Sequence, residues 1–179
     1  MASTAELKAR RREDYRFLLD YRTRWNDNDM YHHMNNSVYS FLFDSVINSY
    51  LIAHCGLDPP TSPRYGLAVH AHTDYFASIA YPAVAELALR VNKLGRSSVT
   101  YEVAVFQQGV DAVCAVGEFV HVFVDRATGR PAQEGMGDVL RRGLEKLRVD
   151  VDVDADAKVA AIEEGKKGAA AVEQGKAKL

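Results

Sequence analysis

The chain has 179 residues, 47% of them hydrophobic, and its 22 Lys and Arg against 24 Asp and Glu leave a formal charge of −2. That profile fits one soluble domain and excludes a surface built for nucleic-acid phosphates or anionic lipid, both of which reward clustered positive charge. No apolar run approaches the roughly 20 residues that span a bilayer, and no signal-peptide core opens the chain, so no membrane span is expected and the expected location is cytoplasmic. A mitochondrial location is the alternative, although Glu6 and Glu13 interrupt the basic N-terminal segment. Cys55 and Cys114 lack metal-ligand or redox spacing and read as reduced, buried thiols.

Residues 1–14 read as an N-terminal extension. From Tyr15 to Trp25, aromatic and long side chains alternate in part with polar ones, which predicts a strand. The next segment, through Asn36, is too polar for a core strand and too rich in capping residues for the middle of a helix. After Asn36 the period becomes 3.6: Ser37, Ser40, Asp44 and Asn48 form a narrow polar stripe, predicting a helix buried on most sides. Asn35 or Asn36 caps its start, and Gly56 with Pro59-Pro60 ends it. Four strands follow, over Leu67–Phe76, Ala83–Lys93, Ser98–Gln107 and Ala112–Asp125. Short connections predict antiparallel pairing, Glu86, Arg90 and Asn92 predict one wet face on the second of them, and Gly117 marks a bulge in the last. A turn over Asp125–Pro131 and a short surface helix over Met136–Leu147 complete a domain spanning 15–148. Residues 149–179 form an acidic, Ala-, Lys- and Glu-rich tail, partly helical or disordered. The plan is α+β: a curved antiparallel sheet of about five strands wrapped around one long helix.

Chemistry concentrates where the polar segment meets the helix. A carboxylate, Asp29, and an imidazole, His33, sit beside the unpaired N–H groups and positive dipole end of the helix start at Asn35 and Asn36. Such donors stabilise the oxyanion formed when a carbonyl is attacked, and a carboxylate attacks that carbonyl or activates water. The same residues also fit a plain capped helix start whose side chains satisfy one another.

The run Arg24-Trp25-x-Asp27-x-Asp29-x-x-x-His33-Met34-Asn35-Asn36-x-x-Tyr39 resembles the signature Asp-x-Asp-x-x-Gly-His-Val-Asn-Asn-x-x-Tyr of the hotdog-fold thioesterases. These are the 4-hydroxybenzoyl-CoA thioesterase-like proteins and the related acyl-ACP thioesterases. The resemblance continues through Lys93-Leu94-Gly95-Arg96-Ser97-Ser98 and Val124-Asp125 with Thr128-Gly129-Arg130-Pro131, covering about Tyr15 to Leu147. It implies a hotdog fold, hydrolysis of an acyl-CoA or acyl-ACP thioester without a cofactor, and a homodimer or homotetramer. It implies Asp29 as the catalytic carboxylate, the backbone N–H of Asn36 as the carbonyl-polarising donor and His33 as an assisting group. Tyr31, His32, Asn35 and Tyr39 would then face substrate.

Arg96, Ser97 and Ser98 suit carrier phosphates or pantetheine, and a plain hairpin turn accounts for them equally. Three departures motivate the alternative of a non-catalytic acyl-binding protein: His32 replaces the motif Gly, Tyr31 replaces an Asn, and Asn36 stands where bacterial relatives carry His. Asp27 is expected to be exposed and Asp44 to meet a second subunit. His70, His72 and Asp74 share one strand face, where pocket-lining or interface roles are expected rather than a metal site. The calcium-loop spacing of Asp152, Asp154, Asp156 and Glu163 lacks its glycine, Ala157 standing there, and reads as a solvated tail.

Overall fold

The computed structural model describes residues 2–149. Its elements run α1 (Thr4–Lys8), β1 (Phe17–Arg22), α2 (Asn36–Cys55), β2 (Arg64–Tyr75), β3 (Val84–Leu94), β4 (Ser98–Gln107), β5 (Val113–Asp125) and α3 (Asp138–Glu145). Single 3-10 turns lie at Arg12–Asp14 and Trp25–Asp27. The acidic tail and its calcium-like spacing lie outside the described residues.

The five strands form one antiparallel sheet ordered β1-β3-β4-β5-β2. β3, β4 and β5 meander through short turns, whereas β1 and β2 occupy opposite edges. α2 separates those two in sequence and carries the chain from one edge to the other. This is the hotdog plan that the resemblance implies.

α2 starts at Asn35, whose side chain accepts the Ser37 N–H at 3.0 Å, and ends at Gly56, which takes the left-handed φ of 66° that side chains disfavour. Its 20 residues make a rod of about 30 Å lying across the inner face of the sheet. Tyr39, Leu42, Phe43, Val46, Ile47 and Leu51 are buried in one cluster with Leu87, Leu89, Tyr101, Val103, Phe119 and Phe123 of the sheet. Burying a side chain of that size contributes about 1.5–3 kcal/mol.

Three expectations need correction. Gly117 is not a bulge: it pairs in regular register with Thr73 and Val103, and its role is clearance, because a Cβ there would lie 2.3 Å from Phe43 Cε2. The bulges fall between Ala68 and His70, between Val91 and Lys93, and between Val105 and Phe106. The helix is also less enclosed than its composition suggests, for Phe41 is 62% exposed and Ile52 50%.

Nor does β3 have a wet face. Ala88, Arg90 and Glu102 of the outer surface are buried beneath the N-terminal segment. Glu102 accepts from Arg10 at 2.8 and 3.2 Å, Tyr15 Oη at 2.9 Å, Arg90 at 2.9 Å and Asn92 at 2.9 Å. Arg12 donates to Glu86 at 2.7 Å and to the carbonyl groups of Gln107 and Val110, and its guanidinium stacks over Phe106. A second cluster of Tyr15, Ala88, Ala104, Phe106, Val113 and Val116 closes beneath these contacts. Residues before Tyr15 therefore pack against the sheet, and the short α1, with Ser3 capping Glu6, was not anticipated.

Candidate active site

The polar segment between β1 and α2 is held at both ends. Met34 N–H donates to the Ile79 carbonyl at 2.8 Å, Asn35 N–H donates to the Asp27 carbonyl at 2.8 Å, and Asn28 Oδ1 accepts the Tyr81 N–H at 3.0 Å. Within that frame Asn28 and Met34 form a β-bridge, and Asp29 N–H donates to the His33 carbonyl at 2.8 Å. The tight loop from Asp29 to His33 is what remains, and His32 at its tip has a φ of 63°. That is the left-handed conformation for which the motif carries Gly, and a non-glycine residue adopts it at some cost.

Asp29 is pinned by its own loop. Its Oδ1 accepts the backbone N–H groups of Tyr31 at 2.8 Å and His33 at 3.2 Å, while Oδ2 accepts nothing among the described residues. The side chain is half-buried. Asn36 opens α2, and with Ser37 N–H capped by Asn35 and Val38 N–H bonded to the Asn35 carbonyl, the Asn36 N–H has no acceptor among the described residues. One free carboxylate oxygen and one unspent helix N-terminal donor thus belong to the same short segment. Such a pair offers a base or nucleophile and an oxyanion donor.

Asp27 is a different kind of acid, and the expectation that it is exposed is wrong. It is 1% exposed and accepts from Tyr21 Oη at 2.9 Å, the Arg24 N–H at 2.7 Å and the Arg24 guanidinium at 2.9 and 3.2 Å. Burial alone would raise its pKa, but the Arg24 and Tyr21 hydrogen bonds outweigh it and hold the carboxyl below its ordinary value. Asp27 therefore braces the loop. A sequence signal existed: Arg24 three residues before Asp27 has the spacing of a closed turn.

The remaining candidates divide into two groups. Tyr31, His32, His33 and Asn35 join Asp29 and Asn36 in the loop, and the rings of Tyr31, His32 and His33 are exposed. Tyr39 is buried one turn into α2, its ring edge-on to Tyr75 at 5.1 Å, and burial pushes its hydroxyl pKa up to about 12, so it stays neutral. Arg96, Ser97 and Ser98 are not brought to this loop within one chain. Arg96 and Ser97 turn between β3 and β4, and Ser98 opens β4, whereas the loop bonds the chain just before β3 begins, so the 11 residues of β3, about 35 Å, separate them. There the Arg96 carbonyl accepts the Met136 N–H at 3.0 Å and the Ser97 carbonyl the Phe123 N–H at 2.7 Å.

Other chemistry is scarce around the loop. Both cysteines are buried, and burial raises the Cys55 thiol to about 11 and Cys114 in the same direction, which removes them as nucleophiles at neutral pH. Asp44, two turns into α2, is exposed. No helix among the described residues is long and apolar enough to cross a membrane.

Comparison with known proteins agrees with this geometry. The chain belongs to the thioesterase-like superfamily, whose profile matches residues 23–163. The crystal structure of the PA5185 protein of Pseudomonas aeruginosa is 44% identical, covers 78% of this chain and 96% of its own, and superposes with a TM-score of 0.75. A predicted thioesterase from Bacillus stearothermophilus shares the fold at 23% identity, with 75% and 97% of the two chains covered and a TM-score of 0.64. SAV2348 of Staphylococcus aureus, solved in complex with CoA, shares it at 14% identity, with 75% and 87% covered and a TM-score of 0.68. A search of curated proteins found no match.

Proposed function

We propose that the protein hydrolyses the thioester of an acyl-CoA or acyl-ACP, with Asp29 as the catalytic carboxylate. The observation that carries this reading is the state of Asp29: one oxygen is fixed by two backbone donors and the other is free, a few residues before the unspent N–H of Asn36. In the proposed step Asp29 Oδ2 takes a proton from water as the water's oxygen forms the new C–O bond at the thioester carbonyl, or Oδ2 attacks directly to give an acyl anhydride that water then hydrolyses to the free acid and the carboxylate. The oxyanion accepts a hydrogen bond from the Asn36 N–H, favoured by the positive end of α2, and its collapse breaks the C–S bond, the carrier leaving as a thiol with the proton that water gives up. His33, His32, Tyr31, Asn35 and Tyr39 line the approach in this reading. The superfamily and the CoA complex of the Staphylococcus aureus relative support a CoA-type carrier.

A second copy of the chain completes the proposed site. β2 is a 12-residue edge strand with exposed Leu67 and Val69, the kind of edge that pairs with another strand. A twofold that pairs two β2 strands antiparallel reverses the ends of the two sheets. The partner's β3–β4 turn then approaches the end of β2 near Tyr75, the end at which Tyr39 and the Asp29 loop lie. In that homodimer, or a homotetramer built from it, the Arg96 to Ser98 turn is available for carrier phosphates.

The second reading, an acyl-binding protein without turnover, draws on His32 at a positive φ and on Asn36 in place of a histidine. Thiol release and equilibrium binding, measured together on short-chain, long-chain and aromatic acyl-CoAs and on an acyl-ACP, separate the two. Turnover on any of them supports hydrolysis and ranks the substrates. Binding without thiol release on every one would replace the hydrolase by the binding protein.

A further inference from the structure

We propose that the outer face of the sheet carries a zinc-type metal site formed by His70, His72 and Glu118. The expectation from sequence is no metal here, because strand histidines such as His70 and His72 more commonly line a pocket or an interface. The β2–β5 register changes the set by placing Glu118 directly across from His72. The bulge after Ala68 matters as much: Ala68 pairs with His121, whose side chain is in the core, and the extra residue then turns His70 to the outer face with His72. The potential ligand atoms of His70, His72 and Glu118 all lie within 4.8 Å of one another, and His70 Nε2 stands 3.9 Å from Glu118 Oε1.

Two imidazoles and one carboxylate, with a position left for water, form the donor set of an open tetrahedral zinc site. Bonds of about 2.0–2.2 Å require ligand atoms roughly 3.3–3.5 Å apart, so the side chains must close by about an ångström. The imidazoles have the freedom to do so, being 52% and 40% exposed. Asp74 Oδ2, 3.1 Å from His72 Nε2, is the neighbouring carboxylate that commonly orients a ligating histidine. His72, Asp74 and Glu118 also line a cleft of about 230 Å³ together with Asn92. The ion would clip the edge strand β2 to β5 beside the bulge. The site lies on the sheet face opposite α2 and does not depend on the thioesterase reading.

The test is calorimetric titration of the full, untagged chain with Zn(II), alongside His70→Ala, His72→Ala and Glu118→Gln. We expect one ion per chain at micromolar or tighter affinity and at least tenfold weaker binding in each His variant. Thermal unfolding should move up by several degrees with zinc in the wild type and not in the His variants. The visible spectrum of the Co(II)-loaded wild type, which requires no variant, should show intense tetrahedral bands. Absence of saturable binding, unchanged affinity in both His variants, or an octahedral Co(II) spectrum would overturn the site. Thioester turnover should be the same with and without the ion, so failure here leaves the assignment of Asp29 untouched.

Discussion

Asp27 and Asp29 stand two residues apart in one loop, and their surroundings separate their roles. Asp27 has spent both oxygens on Arg24 and Tyr21 in a buried site, whereas Asp29 keeps one oxygen free at the surface. Removing the Asp27 carboxylate leaves the Tyr21 hydroxyl and the Arg24 N–H without their acceptor. Asp27→Ala should therefore destabilise the fold by about 2–3 kcal/mol, read as a lower urea midpoint. An unchanged midpoint would mean that the loop does not need its brace. The motif made both aspartates visible in the sequence, but only their partners tell the braced acid from the one that keeps an oxygen free. His32 was legible as a departure from Gly, and the φ of 63° supplies the physical reason that the motif favours Gly at this position.

At the scale of elements, period and punctuation were enough to locate the long helix and all five strands. Gly56 caps the end of the helix as expected, and of the two candidates for its start, Asn35 and Asn36, it is Asn35 that caps it. What the pattern could not reveal was cover. Glu86, Arg90 and Asn92 read as a wet face because charged and polar side chains normally are wet, yet Arg10, Arg12 and Tyr15 arrive from the other end of the chain to cover them, bonding Glu86 and the neighbouring Glu102. Long-range pairing of this kind leaves no local periodicity. Arg10→Ala should cost about 1.5–3 kcal/mol by depriving buried Glu102 of its bidentate partner, measured by urea unfolding against Arg11→Ala as an exposed control. Equal midpoints for the two variants would show that the N-terminal segment contributes nothing to the sheet. Gly117 was misread for a related reason: the need for glycine lies in Phe43, 74 residues earlier in the chain.

For the molecule as a whole, two buried carboxylates set the response to acid. Burial pushes Glu102 upward, but Arg10, Arg90 and Asn92 more than offset this, and its pKa, like that of Asp27, lies below the ordinary value. A carboxyl with a lowered folded-state pKa contributes stability that is complete above its unfolded pKa, about 3.9 for Asp and 4.3 for Glu, and is lost as pH falls through the folded value. The urea midpoint should thus be level from pH 7 to about 5 and fall steeply below 4. Asp27→Asn should flatten part of that fall, and a midpoint level down to pH 3 would contradict the assignment of both groups. The expectation of an oligomer rests on the family resemblance alone, since the sequence does not mark β2 as an edge strand. Within one chain about 35 Å of β3 separates the Arg96 turn from the Asp29 loop, a separation that chain order does not reveal.

The central claim rests on one oxygen of Asp29, and Asp29→Asn tests it with little disturbance because the amide oxygen can still accept the Tyr31 and His33 N–H groups. The decisive measurement is kcat for thiol release by this variant and by the wild type, at matched unfolding midpoint and oligomer size. The account predicts a fall of about 10²- to 10⁴-fold with the fold intact. A kcat within a few-fold of wild type would contradict it and move the catalytic role away from Asp29.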